Sequence, residues 1–296
     1  MPAIKSLLTP HERDLGDGII VRRFLPAQAA RSVGPFVFLD HLGPVTLAPG
    51  KGLNVRPHPH IGLATVTYLF EGELVHRDSI GYVQRIAPGD VNWMTSGRGI
   101  THSERSPVLE NATRLHGIQT WVALPKAFQD IEPSFAHHDS RSLPKISRQG
   151  VDITVIAGDF LGERSPVEVF TSTLYVAMEF ATAAIIRIPA DHAERAIYPL
   201  DADITVNGTT VAAGTMAVLA TGHEVEVTAA SPTRFFLLGG APLDGPRFMY
   251  WNFVSSSEEA IEEAKRSWEA DEFPPVRGET DRIPLPPPPA AASNHQ

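Results

Sequence analysis

The chain of 296 residues contains no cysteine. This absence excludes disulfide bonds, thiolate metal ligands and cysteine nucleophiles. The chain also lacks any apolar run of about 18 residues, and charged residues occur too early at its N-terminus for a secretory signal, so a cytoplasmic protein without a membrane span is expected. Acidic residues outnumber basic ones by 34 to 25. With no evident Lys/Arg cluster, this balance argues against direct binding to nucleic acid or an anionic membrane.

Short segments rich in β-branched and aromatic residues alternate with turns containing many of the 26 prolines and 23 glycines. This pattern predicts antiparallel strands arranged as sandwiches or barrels rather than βαβ units. The run TVTYLFEGELVHRD predicts a hairpin that turns near Glu71 and Gly72. A second hairpin is predicted in VNGTTV, where Asn207 and Gly208 form the turn pair with the strongest preference for that role.

Two strand-rich halves of similar length predict two tandem antiparallel barrels, one in residues 1–135 and one in residues 136–275. A short helix is predicted near the end of the second half, in SSSEEAIEEAKRSWEADEF, with Ser256 and Glu259 as a capping box. The Pro-rich tail, residues 276–296, is predicted to be extended or disordered.

Two pairs of potential metal ligands are present in the first half. In RPHPHIG, His58 and His60 are two residues apart in an extended segment, so both side chains project to the same side. In GRGITHSE, His102 and Glu104 have the same spacing. The segment between the two pairs is long enough to bring the second pair onto an opposing strand. The sequence therefore predicts that three imidazoles and one carboxylate meet at one ion.

Nitrogen and oxygen ligands without sulfur suit iron, manganese, nickel, copper or zinc. Four protein ligands would leave one or two coordination positions open on a five- or six-coordinate ion. Open positions are typical of catalytic sites, whereas structural zinc sites are closed and often rich in cysteine. The pattern therefore favours one catalytic, mononuclear divalent ion.

Several phrases together resemble the pirin family of the cupin superfamily. They are PHPH, TVTY, PGDVNWM, GRGITHSE, SVGPFVFLDHLGP, GIQTWVALP and GGAPLDGPRFMYWNFVSSSEEAIEEA, and they extend over nearly the whole chain except the tail. The resemblance implies an all-β bicupin of two jelly-roll barrels packed face to face, with a short C-terminal helix. It also implies one site in the N-terminal barrel, usually holding iron(II), with His58, His60, His102 and Glu104 as ligands.

The resemblance implies two alternative functions. Several family members resemble quercetin 2,3-dioxygenases, which open a flavonol or similar aromatic enol with dioxygen. Others are noncatalytic regulators whose metal redox state controls binding to a protein partner. We favour the enzyme, with Glu104 acting as ligand and base and a small aromatic molecule and dioxygen as substrates. A monomer is expected in either case.

Apolar and aromatic residues near the ligand strands are candidates to line a pocket for a flat ring. They are Phe38, Tyr68, Phe70, Trp93 and Met94. Strand alternation requires about half of them to point elsewhere.

Other positions bear on the site less directly. His76 and Asp78 are candidates to orient a ligand histidine. Where many pirins carry Arg, Phe and Glu after the second ligand, this chain has Ile61, Leu63 and Ala64. The loss of both charges is expected to change the mouth and surface of the site, which weakens the regulator interpretation.

Further histidines lack such partners. His192 and His223 stand alone in the second half, which predicts a C-terminal barrel without metal. His137 and His138, in AHHD, are interpreted as part of a solvated loop between the halves.

Overall fold

A computed structural model describes residues 2–15 and 19–287 of the chain. The strands of the first half are β1 (Ile4–Leu8), β2 (His11–Asp14), β3 (Ile20–Leu25), β4 (Phe36–Leu47), β5 (Asn54–His60), β6 (Leu63–Glu71), β7 (Leu74–Asp78), β8 (Val83–Ile86), β9 (Val91–Thr95), β10 (Ile100–Arg105), β11 (Thr113–Ala123) and β12 (Ser134–His138). A short 3₁₀ helix, Lys126–Phe128, precedes β12.

The second half continues with strands and ends in a helix. Its elements are β13 (Lys145–Arg148), β14 (Val151–Phe160), β15 (Glu163–Arg164), β16 (Thr173–Phe180), β17 (Ala184–Ile188), β18 (Glu194–Pro199), β19 (Ile204–Val206), β20 (Thr209–Val211), β21 (Met216–Leu219), β22 (Val225–Ala229), β23 (Thr233–Gly240), β24 (Phe248–Tyr250), β25 (Phe253–Ser255) and α1 (Glu258–Glu269).

Each half forms a large and a small antiparallel sheet. The first large sheet has the order β12-β9-β6-β11-β4-β3-β2, and the first small sheet has the order β5-β10-β7-β8. The second large sheet has the order β1-β21-β18-β23-β16-β14-β13, with β15 beside β14, and the second small sheet has the order β17-β22-β19-β20. The all-β, two-part jelly-roll fold is confirmed, with each barrel an open pair of sheets.

The two large sheets pack face to face through the alternate residues of their strands. In β6, Ala64, Val66 and Tyr68 belong to the core between these sheets. The Tyr68 ring meets Phe236 edge-on at 5.8 Å, and Phe236 in turn lies against Tyr175 at 5.4 Å. Because strand side chains alternate, the intervening residues of β6 face the interior of the first half, where the candidate site lies.

Two strands pair across the predicted domain boundary between residues 135 and 136. β1 pairs with β21 at the edge of the second large sheet, although the sequence places it in the first barrel. β12 pairs with β9 in the first large sheet, so that sheet extends to residue 138. Both strands cover an edge that would otherwise leave backbone groups unpaired.

Of the two predicted hairpins, one forms. The prediction at Glu71 and Gly72 is wrong, because β6 belongs to the large sheet and β7 to the small one, and the chain crosses between them there. Gly72 has a φ of 86° there, and a Cβ at this position would lie 2.5 Å from the Arg114 carbonyl oxygen. The hairpin between β19 and β20 is confirmed, with positive φ at both Asn207 and Gly208.

Helix α1 is confirmed, although it begins one residue later than predicted. Ser257, not Ser256, is the N-cap, and its side chain accepts a hydrogen bond from the first turn. The buried face consists of Ile261, Ala264 and Trp268. In the part of the chain that the structure describes, no helix is long and apolar enough to cross a membrane.

Candidate metal centre

Three of the predicted ligands meet inside the first half. β5 and β10 are neighbours in the first small sheet, and His58 lies directly opposite His102. His60, two residues from His58, projects to the same side. One ligand nitrogen of each ring lies within 4.8 Å of the others, and all three side chains are buried. The structure therefore brings together the three histidines that the sequence pattern selected.

Hydrogen bonds to backbone carbonyls orient the two histidines of β5. His58 Nδ1 lies 2.8 Å from the Arg56 carbonyl oxygen. His60 Nδ1 lies 3.1 Å from the Asn252 carbonyl oxygen, which belongs to the turn between β24 and β25. Since a carbonyl only accepts, each Nδ1 must carry the proton. The Nε2 lone pair of each ring is therefore left for a metal ion.

A chain of three side chains orients the histidine of β10. His102 Nδ1 lies 3.3 Å from His76 Nδ1, and His76 Nε2 lies 2.9 Å from Asp78 Oδ2. His76 Nε2–H donates to the carboxylate, so His76 Nδ1 accepts a hydrogen bond from His102 Nδ1–H. The Nε2 lone pair of His102 is therefore left for a metal ion. Asp78 Oδ1 also accepts from the backbone N–H groups of Ile80 and Tyr82. His76 and Asp78 thus contact His102 in the way expected of residues that orient a ligand histidine.

The donor set fits a divalent ion. Burial lowers the pKa of His60 and His102 well below the ordinary value, and the neighbouring His58 lowers both further. Both rings are therefore neutral, and their Nε2 atoms lie 3.1 Å apart. Two lone pairs at this distance repel unless a cation lies between them. Ligands at right angles around an ion, each about 2.1 Å from it, lie about 3 Å apart, as these atoms do.

Glu104 lies beside the three histidines but outside their group. A register shift separates it from His102 along β10. Its carboxylate accepts hydrogen bonds from Gln119 Nε2 at 2.9 and 3.0 Å and from Thr67 Oγ1 at 3.3 Å. Glu104 and His58 line the same cavity. Ligation by Glu104 remains a prediction, and Gln119 is a contact that the sequence pattern missed.

The cavity adjoining the histidines has a volume of about 360 Å³, within the range of roughly 300–1,000 Å³ that is typical of small-molecule sites. Its aromatic wall includes Phe38 and Trp121, stacked at 3.8 Å with an interplanar angle of 10°. Trp121 also meets the His60 ring edge-on at 5.3 Å, and Trp251 lines another part of the wall. The stacked aromatic lining suits a flat, largely apolar molecule.

Of the five residues predicted to line a pocket, Phe38 does so. The other four do not line this cavity, whereas strand alternation was expected to turn about half of the five away. Tyr68 and Trp93 belong to the core between the large sheets, and Phe70 packs against it. Met94 packs in a separate apolar cluster. Alternation along β6 and β9 turns Tyr68, Phe70 and Trp93 away from the cavity, and the sequence alone does not show which alternate set faces it.

The three departures from the usual pirin pattern are buried. Ile61 packs with Phe253 and the face of α1, and Leu63 packs with Val254. Ala64 belongs to the core between the large sheets. The apolar side chains here serve packing, and the expected effect of the two lost charges on the mouth of the site stays a prediction.

The isolated histidines of the second half have other partners. His192 Nε2 lies 3.1 Å from the Asp159 carbonyl oxygen, and His223 is exposed. Among residues 2–15 and 19–287, His58, His60 and His102 form the one group of three or more potential ligands close enough together to share an ion. A second half without metal stays a prediction.

His137 and His138 do not lie in a loop. Both belong to β12 and are half-buried, and His137 Nδ1 lies 2.8 Å from Asn92 Oδ1 of β9. The interpretation as a solvated linker is wrong, because this polar segment pairs with the edge of the first large sheet.

The first part of the Pro-rich tail packs against the metal centre. Residues 276–287 form no helix or strand, and several of them contact the first half. The Ile283 backbone N–H donates to the Pro57 carbonyl oxygen at 2.8 Å, directly before His58. Ile283 also lines the cavity. The tail was predicted to be extended or disordered, and this stays a prediction for residues 276–287, which contain neither helix nor strand. Residues 288–296 lie outside the described residues.

Glu279 attaches the same tail to the other ligand strand. It accepts a hydrogen bond from Ser103 Oγ at 3.0 Å, and Ser103 lies between His102 and Glu104. Arg105 donates through Nη2 to Glu279 Oε2 at 2.6 Å. The tail therefore contacts the backbone next to His58 on β5 and the side chains next to His102 and Glu104 on β10.

We expect a chain that ends after Pro275 to bind a divalent ion roughly tenfold more weakly, because groups that support metal ligands typically contribute 10–100-fold to affinity. Competition with a coloured chelator measures the change. A chain ending after Pro287 keeps every tail contact described above and is the matched control. Equal affinities in the two truncated proteins would show that the tail does not support the site.

Comparison with known proteins agrees with this architecture. Residues 18–122 match the pirin family, and residues 175–274 match the pirin C-terminal cupin domain. A pirin-like protein of Caulobacter vibrioides is 47% identical over 288 residues, which is 96% of this chain and 99% of that protein. Pirin of Homo sapiens is 33% identical over 261 residues, covering 86% and 87% of the two chains.

Solved structures show the same relationship. The crystal structure of a quercetin 2,3-dioxygenase from Acinetobacter baumannii superposes with a TM-score of 0.90. It is 36% identical, and the match covers 97% of this chain and 96% of that one. The chain therefore belongs to the pirin family, and its two halves are the cupin domains of that fold.

Proposed function

We propose that the chain is a metal-dependent dioxygenase that opens the ring of a flavonol or a similar aromatic enol. The observation that carries the proposal is the cluster of three buried imidazoles, one of which, His58, lines an aromatic-walled cavity. The similarity to the Acinetobacter baumannii quercetin 2,3-dioxygenase supports this substrate class.

The ion would be held by His58, His60, His102 and Glu104, and the proposal assigns iron(II) to this position. Iron(II) would supply the redox chemistry by which an electron-rich organic molecule reacts with dioxygen. Manganese, nickel, copper and zinc suit the same ligands. The protein itself would contribute proton transfer, orientation and exclusion of water.

Glu104 is the group that would take the proton of the substrate hydroxyl. It is a carboxylate that lines the cavity beside His58. The Gln119 amide donates to both of its oxygens and fixes its orientation. A general base must lie within hydrogen-bond reach of the proton it accepts, and a substrate hydroxyl placed between Glu104 and the histidines would meet that condition.

The remaining contacts would hold the site in shape. The His102–His76–Asp78 chain fixes one ligand ring. The stacked Phe38 and Trp121 rings present an apolar surface to a flat substrate and reduce the access of water. These positions agree with a site organised before the substrate binds.

Aerobic incubation of the iron-loaded protein with quercetin tests the proposal. We expect the flavonol absorbance to disappear with an equivalent uptake of oxygen, and metal-stripped protein to be inactive. If the absorbance persists at full iron occupancy, the dioxygenase proposal is wrong. Capture of a protein partner in only one iron oxidation state would then support the regulatory alternative.

A further inference from the structure

Four polar side chains form a row across the inner face of the first large sheet. Thr67 of β6 lies opposite Gln119 of β11, Gln119 lies opposite Asp40 of β4, and Asp40 lies opposite Arg23 of β3. Residues paired directly across strands project from the same face of a sheet. All four line the cavity beside the histidines.

The row has one end at the metal centre and the other far from it. At the near end, Thr67 and Gln119 hydrogen-bond to Glu104. At the far end, Arg23 Nε and Nη2 donate to the two carboxylate oxygens of Asp40, each at 2.8 Å. Three strand spacings of about 4.8 Å separate the two ends. The row is therefore about as long as a molecule of two or three linked aromatic rings.

Packing of the fold does not require such a polar row. In the second large sheet, an equivalent run of directly paired inward residues is entirely apolar, and it consists of Val155, Val176, Leu237 and Ile197. The first half instead keeps an ion pair whose Arg23 and Asp40 side chains are 29% and 8% exposed. Burial raises the pKa of Asp40 although Arg23 opposes the shift, so the carboxylate is incompletely compensated for its lost hydration.

An aromatic surface runs beside the polar row. The Arg23 guanidinium lies 4.3 Å above the Phe38 ring. Phe38 stacks on Trp121, which meets the ring of the ligand His60. A flat molecule that follows this wall from the histidines would reach the Arg23–Asp40 pair.

We propose that the polar row binds the hydroxyl groups of a polyhydroxylated flat aromatic molecule. The end remote from the metal would be recognised by Arg23 and Asp40. This inference rests on the proposed function, which places the enol of the substrate at Glu104. Asp40 accepts hydrogen bonds from phenolic hydroxyls, and Arg23 has five N–H donors, of which Asp40 uses two. The pair thus makes the site selective for substrates with hydroxyls on their outer rings.

Two flavonols that differ in their outer hydroxyl groups isolate the contribution of Arg23 and Asp40 to binding. Quercetin and 3-hydroxyflavone share the enol and carbonyl that would meet the metal, but 3-hydroxyflavone lacks every other hydroxyl. We expect the iron(II)-loaded full chain, without oxygen, to bind quercetin at least tenfold more tightly. In the double variant Arg23→Met/Asp40→Leu, quercetin affinity falls at least tenfold and 3-hydroxyflavone affinity changes less than about twofold. Replacing both charges avoids leaving one buried and unpaired.

A second variant covers the case in which the double variant does not fold. Arg23→Lys keeps the charge but loses the planar fork that binds a carboxylate through two donors, and it should reduce the preference for quercetin about threefold or more. Equal weakening of both ligands, or no preference for quercetin in the unaltered protein, overturns the inference. If quercetin is preferred but never consumed in air, the inference stands and the dioxygenase proposal fails. If neither flavonol binds, both fail.

Discussion

Replacing His60 with alanine is expected to remove most of the iron from the purified protein. The Nε2 atoms of His60 and His102 lie 3.1 Å apart, which suits two ligands of one ion. Loss of a ligand should exceed the 10–100-fold decrease in affinity that is typical when only a supporting partner is lost. The two halves should stay folded, because His60 belongs to none of the apolar cores. Elemental analysis gives the iron content, and thermal unfolding checks the fold.

His138→Ala is the matched control for this experiment. His138 is a half-buried strand histidine of the same half, in β12 of the large sheet and outside the cluster. It should retain the iron content of the unaltered protein. Iron near the unaltered level in His60→Ala, with His138→Ala also unchanged, would contradict the assignment of the site.

Local strand geometry explains which parts of the site could be predicted from sequence. The spacing of His58 and His60 places both rings on one side of β5 without any knowledge of the rest of the fold. The same geometry links His76 and Asp78, whose side chains are in contact in the structure. Each relationship spans only two residues of an extended chain, so the pattern in the sequence is sufficient to specify it.

Contacts between distant strands could not be predicted in the same way. Gln119 meets Glu104 because β11 and β10 lie in facing sheets, and Asp40 meets Gln119 because β4 pairs with β11. Such contacts depend on register, and a shift of one residue would turn each side chain to the opposite face. The placement of Tyr68 and Trp93 away from the cavity has the same origin.

The tail shows a different limit of sequence analysis. Its proline-rich composition predicted an extended or disordered segment because prolines cannot form the hydrogen bonds of a helix or a central strand. The structure stabilises the segment through the few groups that remain available, including the Ile283 N–H and the Glu279 carboxylate. Composition indicates whether a segment tends to form a helix or a strand by itself. It carries no information about another part of the fold with which the segment can form contacts.

Replacing Glu104 with glutamine is expected to lower the rate of flavonol ring opening by at least about 100-fold. A carboxamide cannot take the proton of the substrate hydroxyl, and general base catalysis contributes roughly 10²–10⁴-fold. The substitution keeps the shape of the side chain. The Gln119 amide can turn its oxygen towards the new NH₂ group, which preserves the contact seen with the carboxylate. The turnover number is measured at saturating quercetin and normalised to bound iron.

Two further variants separate the base from other effects of charge. Glu132→Gln removes a carboxylate from an exposed ion pair with Arg98 and should leave turnover unchanged. Glu104→Asp keeps a carboxylate one methylene further from the histidines and should recover part of the lost rate. Normal turnover per iron in Glu104→Gln would exclude the base. Loss of iron from Glu104→Gln but not from Glu104→Asp would instead show that this carboxylate mainly holds the ion, since the neutral amide is the weaker ligand for a divalent cation.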